Sequence, residues 1–263
     1  MASGTLSRAI APLVDFVYPP RCPLCGQGIA AGPGLCVDCW AELEMPGDPA
    51  CARCQIPLSS AGDAEVCGAC LAHPPLHAGI AAATLYNGGA RQLVLRLKHG
   101  GRIGLAELMG QLIAARLADA PAEAVLVPVP LHRTRLWMRG FNQAALLAHA
   151  IARRTGHTVI VDALRRRRPT PSLGGLGRAE RARVMRGTIA PARRHSGSIE
   201  GRDVILVDDV LTSGATSSEC VRVLRKSGAR SVRIACFARV PDPASEAGIE
   251  NETPGTARIP GAA

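Results

Sequence analysis

From Ile80 onward, short continuous apolar runs alternate with segments whose apolar residues recur every three or four positions, the signature of strands and amphipathic helices in turn. Val125 to Val129 and Val204 to Val207 are rich in valine and isoleucine and are expected as strands covered on both faces. Arg91 to Lys98 and Ile103 to Leu117 read as helices, the second with Leu105, Leu108, Leu112, Ile113 and Leu117 along one face. Phe141 to Arg154 reads as another, with Asn142 close to its start and Gly156 past its end. A helical pattern through Ala215, Cys220, Val223 and Leu224 follows the second strand. Cys220, in that helix, and Cys236, in a later strand, are expected as buried apolar residues. Strands alternating with helices predict an α/β fold, a parallel sheet with helices on both faces.

Three stretches break this pattern. Before Pro74-Pro75 there is little apolar periodicity. Leu164 to Ser198 carries Arg165 to Arg168, then Pro, Gly and more arginine, and reads as a mobile basic loop or hood over the site, with a basic linker as the alternative. The tail is rich in Pro, Gly and Ala and is expected to be disordered. The expected domains are therefore an amphipathic segment at 1–18, a Cys-rich module at 19–75, an α/β domain at 80–240 and a tail at 241–263.

Eight of the chain's ten cysteines lie in the first module and form four Cys-x2-Cys pairs: Cys22/Cys25, Cys36/Cys39, Cys51/Cys54 and Cys67/Cys70. One such turn places two thiolates on one tetrahedral edge, and two turns complete a closed four-cysteine site suited to structural Zn2+. Two zinc ions are expected, Cys22 to Cys39 around one and Cys51 to Cys70 around the other, with an interleaved pairing left open by spacing alone. A disulfide framework suits an oxidising compartment, and no export signal is evident, because Pro12 and Asp15 interrupt the apolar stretch Thr5 to Tyr18. A redox Cys-x2-Cys would use one pair, not four. So small a module with few large hydrophobes needs the metal to fold.

At 263 residues the chain has room for one full domain and this smaller module. No apolar stretch approaches the roughly 20 residues of a membrane span, so no membrane partner is expected and the cytoplasm is the expected location. The net charge of +10 is uneven. Residues 1–80 hold 3 Lys/Arg against 7 Asp/Glu, whereas residues 81–240 hold 27 against 10. A basic central domain draws polyanions, either nucleic acid or a phosphorylated small molecule.

The densest chemistry lies in Val204-Ile-Leu-Val-Asp208-Asp209-Val-Leu-Thr212-Ser213-Gly214-Ala215-Thr216. Two carboxylates stand where a buried strand ends, the place at which open α/β sheets present ligand-binding groups. The turn Thr212 to Thr216 then feeds a helix N-terminus, whose free N–H groups and positive dipole end suit a phosphate. Its hydroxyls add donors, and Gly214 lets the backbone approach closely. A nucleoside-triphosphate P-loop, Gly-x4-Gly-Lys-[Ser/Thr], is not present.

This run resembles the phosphoribosyl pyrophosphate (PRPP) signature of type I phosphoribosyltransferases. The resemblance implies that Thr212, Ser213, Gly214, Ala215 and Thr216 hold the ribose 5′-phosphate and that Asp208 and Asp209 reach the ribose hydroxyls. With the cysteine pairs, Pro128-Val-Pro-Leu-His-Arg133 and Arg139-Gly-Phe-Asn-Gln143 in this order, the chain from about Tyr18 to Arg239 resembles the ComF family. That family joins a double zinc ribbon to a type I phosphoribosyltransferase fold and is linked to natural transformation and single-stranded DNA. The resemblance places Arg133, Arg135 and Arg139 at the diphosphate, matches Lys98 to a basic position, and keeps Arg178 and Arg181 in the hood. Leu173 stands where the family has Gln, Val184 near an Asn position, and Thr188-Ile189 replaces Ala-Phe. PRPP with Mg2+ is the implied ligand, phosphoribosyl transfer the implied reaction, and DNA-uptake or recombination proteins the implied partners of the ribbon. The alternative from another class is an inactive, single-stranded-DNA-binding or adaptor protein.

Overall fold

The computed structural model describes residues 20–29, 34–58, 65–99, 101–170 and 177–241. The expected segment at 1–18, the hood position Leu173, and the tail beyond residue 241 lie outside these residues. Two short helices, α1 (Val37–Ala41) and α2 (Gly68–Ala72), belong to the Cys-rich module. The α/β domain follows in the order β1 (Ile80–Leu85), α3 (Gly88–His99), α4 (Leu105–Ala115), β2 (Val125–Pro128), α5 (Arg133–Arg139), α6 (Gln143–Thr155) and β3 (Thr158–Val159). It continues through β4 (Leu164–Arg166), α7 (Arg178–Met185), β5 (Ile189–Pro191), α8 (Ser196–Ile199), β6 (Asp203–Leu211), α9 (Ala215–Lys226) and β7 (Ser231–Arg239). Among the described residues no helix is long and apolar enough to cross a membrane.

Five strands form one sheet in the order β1-β7-β6-β2-β3, and every pairing is parallel. Side chains alternate across a strand, so β6 divides its own residues between two cores. Ile205 and Val207 join Leu97 of α3, Met109 and Ile113 of α4, and Leu147 and Ile151 of α6 on one face. Val204 and Leu206 join Cys220, Val221 and Leu224 of α9 on the other. Cys220 and Cys236 are fully buried among these apolar residues, as expected. With few aromatics in the chain, Leu, Ile, Val and Ala fill most of both layers.

The helices sit where the periodicity puts them, with shifted ends. α3 begins at Gly88 and α4 spans only Leu105–Ala115. α6 starts at Gln143, two residues later than expected, because the Asn142 side chain accepts the Ala144 N–H at 3.0 Å and so caps the helix. The larger difference is Leu164 to Ser198. Instead of a loop without regular structure, β4 and β5 pair antiparallel through Leu164↔Pro191 and Arg166↔Ile189, with α7 between them. This arm packs on α9: Met185 is fully buried, and the buried Glu219 carboxylate accepts the Gly187 N–H at 2.7 Å.

The Cys-rich module covers the β1 edge. Leu85 N–H donates to the Glu44 carbonyl at 2.7 Å, and Ala82 N–H donates to Gln55 Oε1 at 2.9 Å. Leu24 and Leu43 enter the core of α3, whereas Ile56 enters that of the opposite face. An edge strand whose free N–H groups are taken up in this way presents no template for pairing with another chain.

Candidate functional site

The strand does not end at its acidic pair as expected: β6 runs on to the buried Leu211, so Asp208 and Asp209 lie within it, and alternation sends the two carboxylates to opposite faces. Asp208 follows Val204 and Leu206 toward α9, where Ser217 Oγ donates to its Oδ2 at 3.4 Å and the Asp209 N–H donates to Oδ1 at 2.9 Å. Asp209 follows Ile205 and Val207 toward α3 and α6. It is 4% exposed, and Lys98 Nζ, from α3, lies 2.5 Å from its Oδ2. On the same side Gln143 Nε2 donates to Asp209 Oδ1 at 3.5 Å, and Arg139 donates to Gln143 Oε1 at 2.5 Å. A polar chain therefore runs from Arg139 through Gln143 and Asp209 to Lys98. Burial, and next the charge of Asp209, push the Asp208 carboxyl well above the usual carboxylate range. Burial likewise pulls the Arg139 guanidinium down from its ordinary value.

Five residues after Asp209 the backbone turns through Gly214, at φ +71°, into α9. The first intrahelical bond is Ser218 N–H to the Gly214 carbonyl at 2.7 Å. The N–H groups of the helix's first turn thus have no carbonyl partner within the helix and face the end of the sheet. Thr212 is exposed, and Ser213 to Thr216 are half-buried. Ser217 is buried and ties this turn to Asp208, a link that sequence reasoning missed. The structure thus brings Asp208, Asp209 and Thr212 to Thr216 to one end of β6.

The basic residues divide into sets. Lys98, matched by resemblance to a basic position, is placed on Asp209. Arg133 and Arg135 project from α5 and are exposed; Arg135 reaches across to donate to the Thr170 carbonyl at 3.3 Å. Arg139 is drawn inward to Gln143. Arg178 and Arg181 both lie on α7, and the Arg181 Nε is buried with no hydrogen-bond partner among the described residues. Sequence reasoning also missed Arg166 on β4, which donates to Thr170 Oγ1 at 2.5 Å and to Met185 Sδ at 3.3 Å. Within a run of four arginines no local signal distinguishes it. Two open clefts, of about 540 and 470 Å3, lie at the other end of the strands, beside β3 and beside the α4–β2 connection.

The eight paired cysteines gather into two separate sets. The sulfurs of Cys22, Cys25, Cys36 and Cys39 lie within 4.8 Å of one another, and so do those of Cys51, Cys54, Cys67 and Cys70. The pairing is sequential, not interleaved. Neighbouring sulfurs stand 3.4 Å apart at Cys25/Cys36 and 3.6 Å apart at Cys54/Cys67. These separations approach the tetrahedral edge of about 3.8 Å that zinc–sulfur bonds of about 2.3 Å require. Backbone N–H groups point at the sulfurs, from Cys39 to Cys36 and from Cys67 to Cys51. Burial raises the Cys22 and Cys51 thiols, but several such N–H groups outweigh it and bring them to about 6 and about 7. Four soft donors with N–H support fit a closed structural zinc site at each set.

The same two-part organisation is found in known proteins. The sequence pattern of the double zinc ribbon domain matches residues 13–71, and that of the phosphoribosyl transferase domain matches residues 142–249. Competence protein F of Haemophilus influenzae is 28% identical over 226 residues, which cover 83% of this chain and 96% of that protein. DNA utilization protein YhgH of Salmonella typhi is 30% identical over 232 residues, covering 85% of this chain and 99% of that one. The chain belongs to the ComF family. Among solved structures, the glutamine PRPP amidotransferase of B. subtilis is similar to part of this chain. That match is 24% identical, with a TM-score of 0.34, and spans 49% of this chain and a quarter of the other. ComF membership thus accounts for the order of the parts, a Cys-rich ribbon ahead of a phosphoribosyltransferase fold.

Proposed function

We propose that this ComF-family chain binds PRPP at the end of β6 and transfers its phosphoribosyl group. The observation that carries the proposal is the unbroken passage from a buried strand through Asp208 and Asp209 into the Gly214-led start of α9. In this reading Thr212, Ser213, Gly214, Ala215 and Thr216 take the 5′-phosphate, and the two acids, Asp208 foremost, meet the ribose hydroxyls. Arg133 and Arg139 face the departing diphosphate, with Arg178 and Arg181 closing over it. Charge held in place before reaction is usually a large part of catalysis.

Mg2+ would neutralise the diphosphate as it leaves. Since Lys98 already compensates Asp209, the chain offers such an ion little more than Asp208, and the ligand's own oxygens would be its main holders, as is usual for this cation. The two cysteine sets would hold zinc and keep the 19–75 module folded against the 80–240 domain. With 3 Lys/Arg against 7 Asp/Glu over residues 1–80, the ribbon suits a protein partner in DNA uptake or recombination better than DNA itself.

The test is calorimetric titration of the zinc-loaded protein with PRPP and Mg2+, beside an Asp208→Ala/Asp209→Ala variant. Saturable binding that the variant loses is the expected result; no binding by the wild type rejects the proposal.

One observation favours a second reading, single-stranded DNA binding. Trp137 on α5 is 87% exposed, with Met138 exposed beside it and Arg133 and Arg135 on the same helix. An aromatic face among cations suits a base and its phosphate. Affinity that falls steeply with salt and drops in Trp137→Ala would support it.

A further inference from the structure

Arg135 and Arg166 come from different elements, α5 and β4, yet both guanidinium groups end on Thr170. Arg135 donates to its carbonyl and Arg166 to its hydroxyl. Like charges converge in this way at a cost unless an anion compensates them. Among the described residues neither arginine forms an ion pair, and the Arg166 Nε is buried with no hydrogen-bond partner. The one carboxyl among the charged groups that bear on Arg166 is Asp208, which burial favours in its neutral form; Arg135 adds a like charge. Met185, fully buried, holds Arg166 by its sulfur at 3.3 Å and meets the Thr216 hydroxyl at 3.8 Å on its other side. The two arginines therefore sit beside the phosphate turn, separated from it by the Met185 side chain, on the Asp208 face of the sheet.

We infer that Arg135, Arg166 and Thr170 form an oxyanion subsite separate from the phosphate turn, and that the second substrate of this site carries a carboxylate or phosphate there. The inference rests on the proposed PRPP site, because it assigns the phosphate turn to the sugar and leaves the arginine pair for the acceptor. A planar guanidinium held by a threonine and a sulfur keeps its remaining N–H groups pre-aimed, which favours a two-oxygen anion over a neutral acceptor. The alternative source of the oxyanion is the sugar diphosphate itself.

The experiment saturates the zinc-loaded full chain with PRPP and then titrates inorganic phosphate by calorimetry. One further phosphate per chain is expected, with affinity lowered about tenfold or more in Arg166→Met, as loss of a charge-assisted hydrogen bond implies. PRPP affinity in that variant should change less than about threefold, because the Met185 side chain stands between Arg166 and the phosphate turn. A PRPP-loaded protein that takes no phosphate overturns the inference, and so does an Arg166→Met variant that loses PRPP as steeply as phosphate. Should Arg166→Met fail to fold, Arg135→Met, on the surface, decides by the same loss of phosphate. If PRPP itself does not bind the wild type, the proposed function fails, but the subsite is still judged on the unloaded protein. Phosphate binding lost in Arg166→Met and kept in Gly214→Ala upholds it; binding indifferent to Arg166 overturns it.

Discussion

Lys98 Nζ stands 2.5 Å from Asp209 Oδ2, while Asp208, its neighbour in sequence, faces the other side of the sheet and meets a serine. The two acids are therefore not equivalent. Asp209 is buried and paired with an ammonium from α3, and Asp208 is a carboxyl that burial keeps toward its neutral form. In the proposed reading Asp209 would fix the wall of the site through Lys98 and Gln143, and Asp208 would be the acid that meets the ligand.

Removing the ammonium leaves a buried carboxylate uncompensated. Lys98→Met should destabilise the fold by about 3 kcal/mol, and Lys98→Met/Asp209→Leu should recover most of that loss, because a buried pair costs most when only one partner is deleted. Urea unfolding midpoints of the three proteins check this; a double variant no more stable than Lys98→Met would contradict it.

Asp208 gives stability a pH dependence of definite sign. Its carboxyl is raised in the folded state, chiefly by burial, so between the unfolded value of about 3.9 and the higher folded value the native chain binds the extra proton. Stability from this group is present below that window and is lost as pH rises through it. Asp208→Asn, which carries no charge at any pH, should therefore gain on the wild type in melting temperature as pH is raised from about 4 toward 8. A difference that stays flat over that range counts against a raised Asp208.

The sequential cysteine sets predict how zinc is lost. Cys22→Ser should release one zinc and leave the other, and Cys51→Ser should do the same for the second, since each set of four sulfurs is closed on itself. Metal content by mass spectrometry of the native protein reads the outcome. Release of both ions by either change would mean that the sets share ligands or fold only together.

At Gly214 the backbone lies at φ +71°, whereas a Cβ there would meet only ordinary contacts, Ser218 Oγ at 3.8 Å and Leu211 Cδ1 at 3.9 Å. Gly214→Ala should cost about 1 kcal/mol through backbone strain alone. It should also weaken PRPP binding, by turning the N–H groups of the phosphate turn away from their common point. Gly214→Asn should be milder, because Asn tolerates this conformation. Equal effects of Ala and Asn would point to crowding instead of strain.

The strand and the acid pair were legible because the signal is local: Val204 to Val207 is apolar without a break and the acids end it. Alternation even implies that Asp208 and Asp209 part company. Which helix each one meets was not legible, since Lys98 lies more than a hundred residues away in sequence. The arm was illegible for a different reason. β4 and β5 are three residues each, too short for any period to register, and they pair across an arginine-rich stretch whose helix has hardly an apolar face. Arg166 shares its sequence context with Arg165, Arg167 and Arg168; only the fold turns it inward. Asn142 and Gly156, by contrast, mark α6 by cap chemistry that acts within a few residues.

A close approach of α4 and α6 gives a packing test. A Cβ added at Gly110 of α4 would stand 2.4 Å from the Cβ of Ala150 on α6 and 3.3 Å from its carbonyl carbon. Neither can yield as a flexible side chain would, so the helices must separate. Gly110→Ala should destabilise by about 1–3 kcal/mol despite the better helix propensity of alanine. Ala150→Gly alone should cost about 1 kcal/mol, as glycine does inside a helix. Combined, the two changes exchange the methyl groups across the interface, and the double variant should be more stable than Gly110→Ala. Because α6 carries Gln143, and through it Asp209, a separated pair should also weaken PRPP binding in Gly110→Ala and restore it in the double variant. Unfolding and PRPP titration of the four proteins form one cycle, and additive behaviour in both would mean that α4 and α6 do not touch at this point.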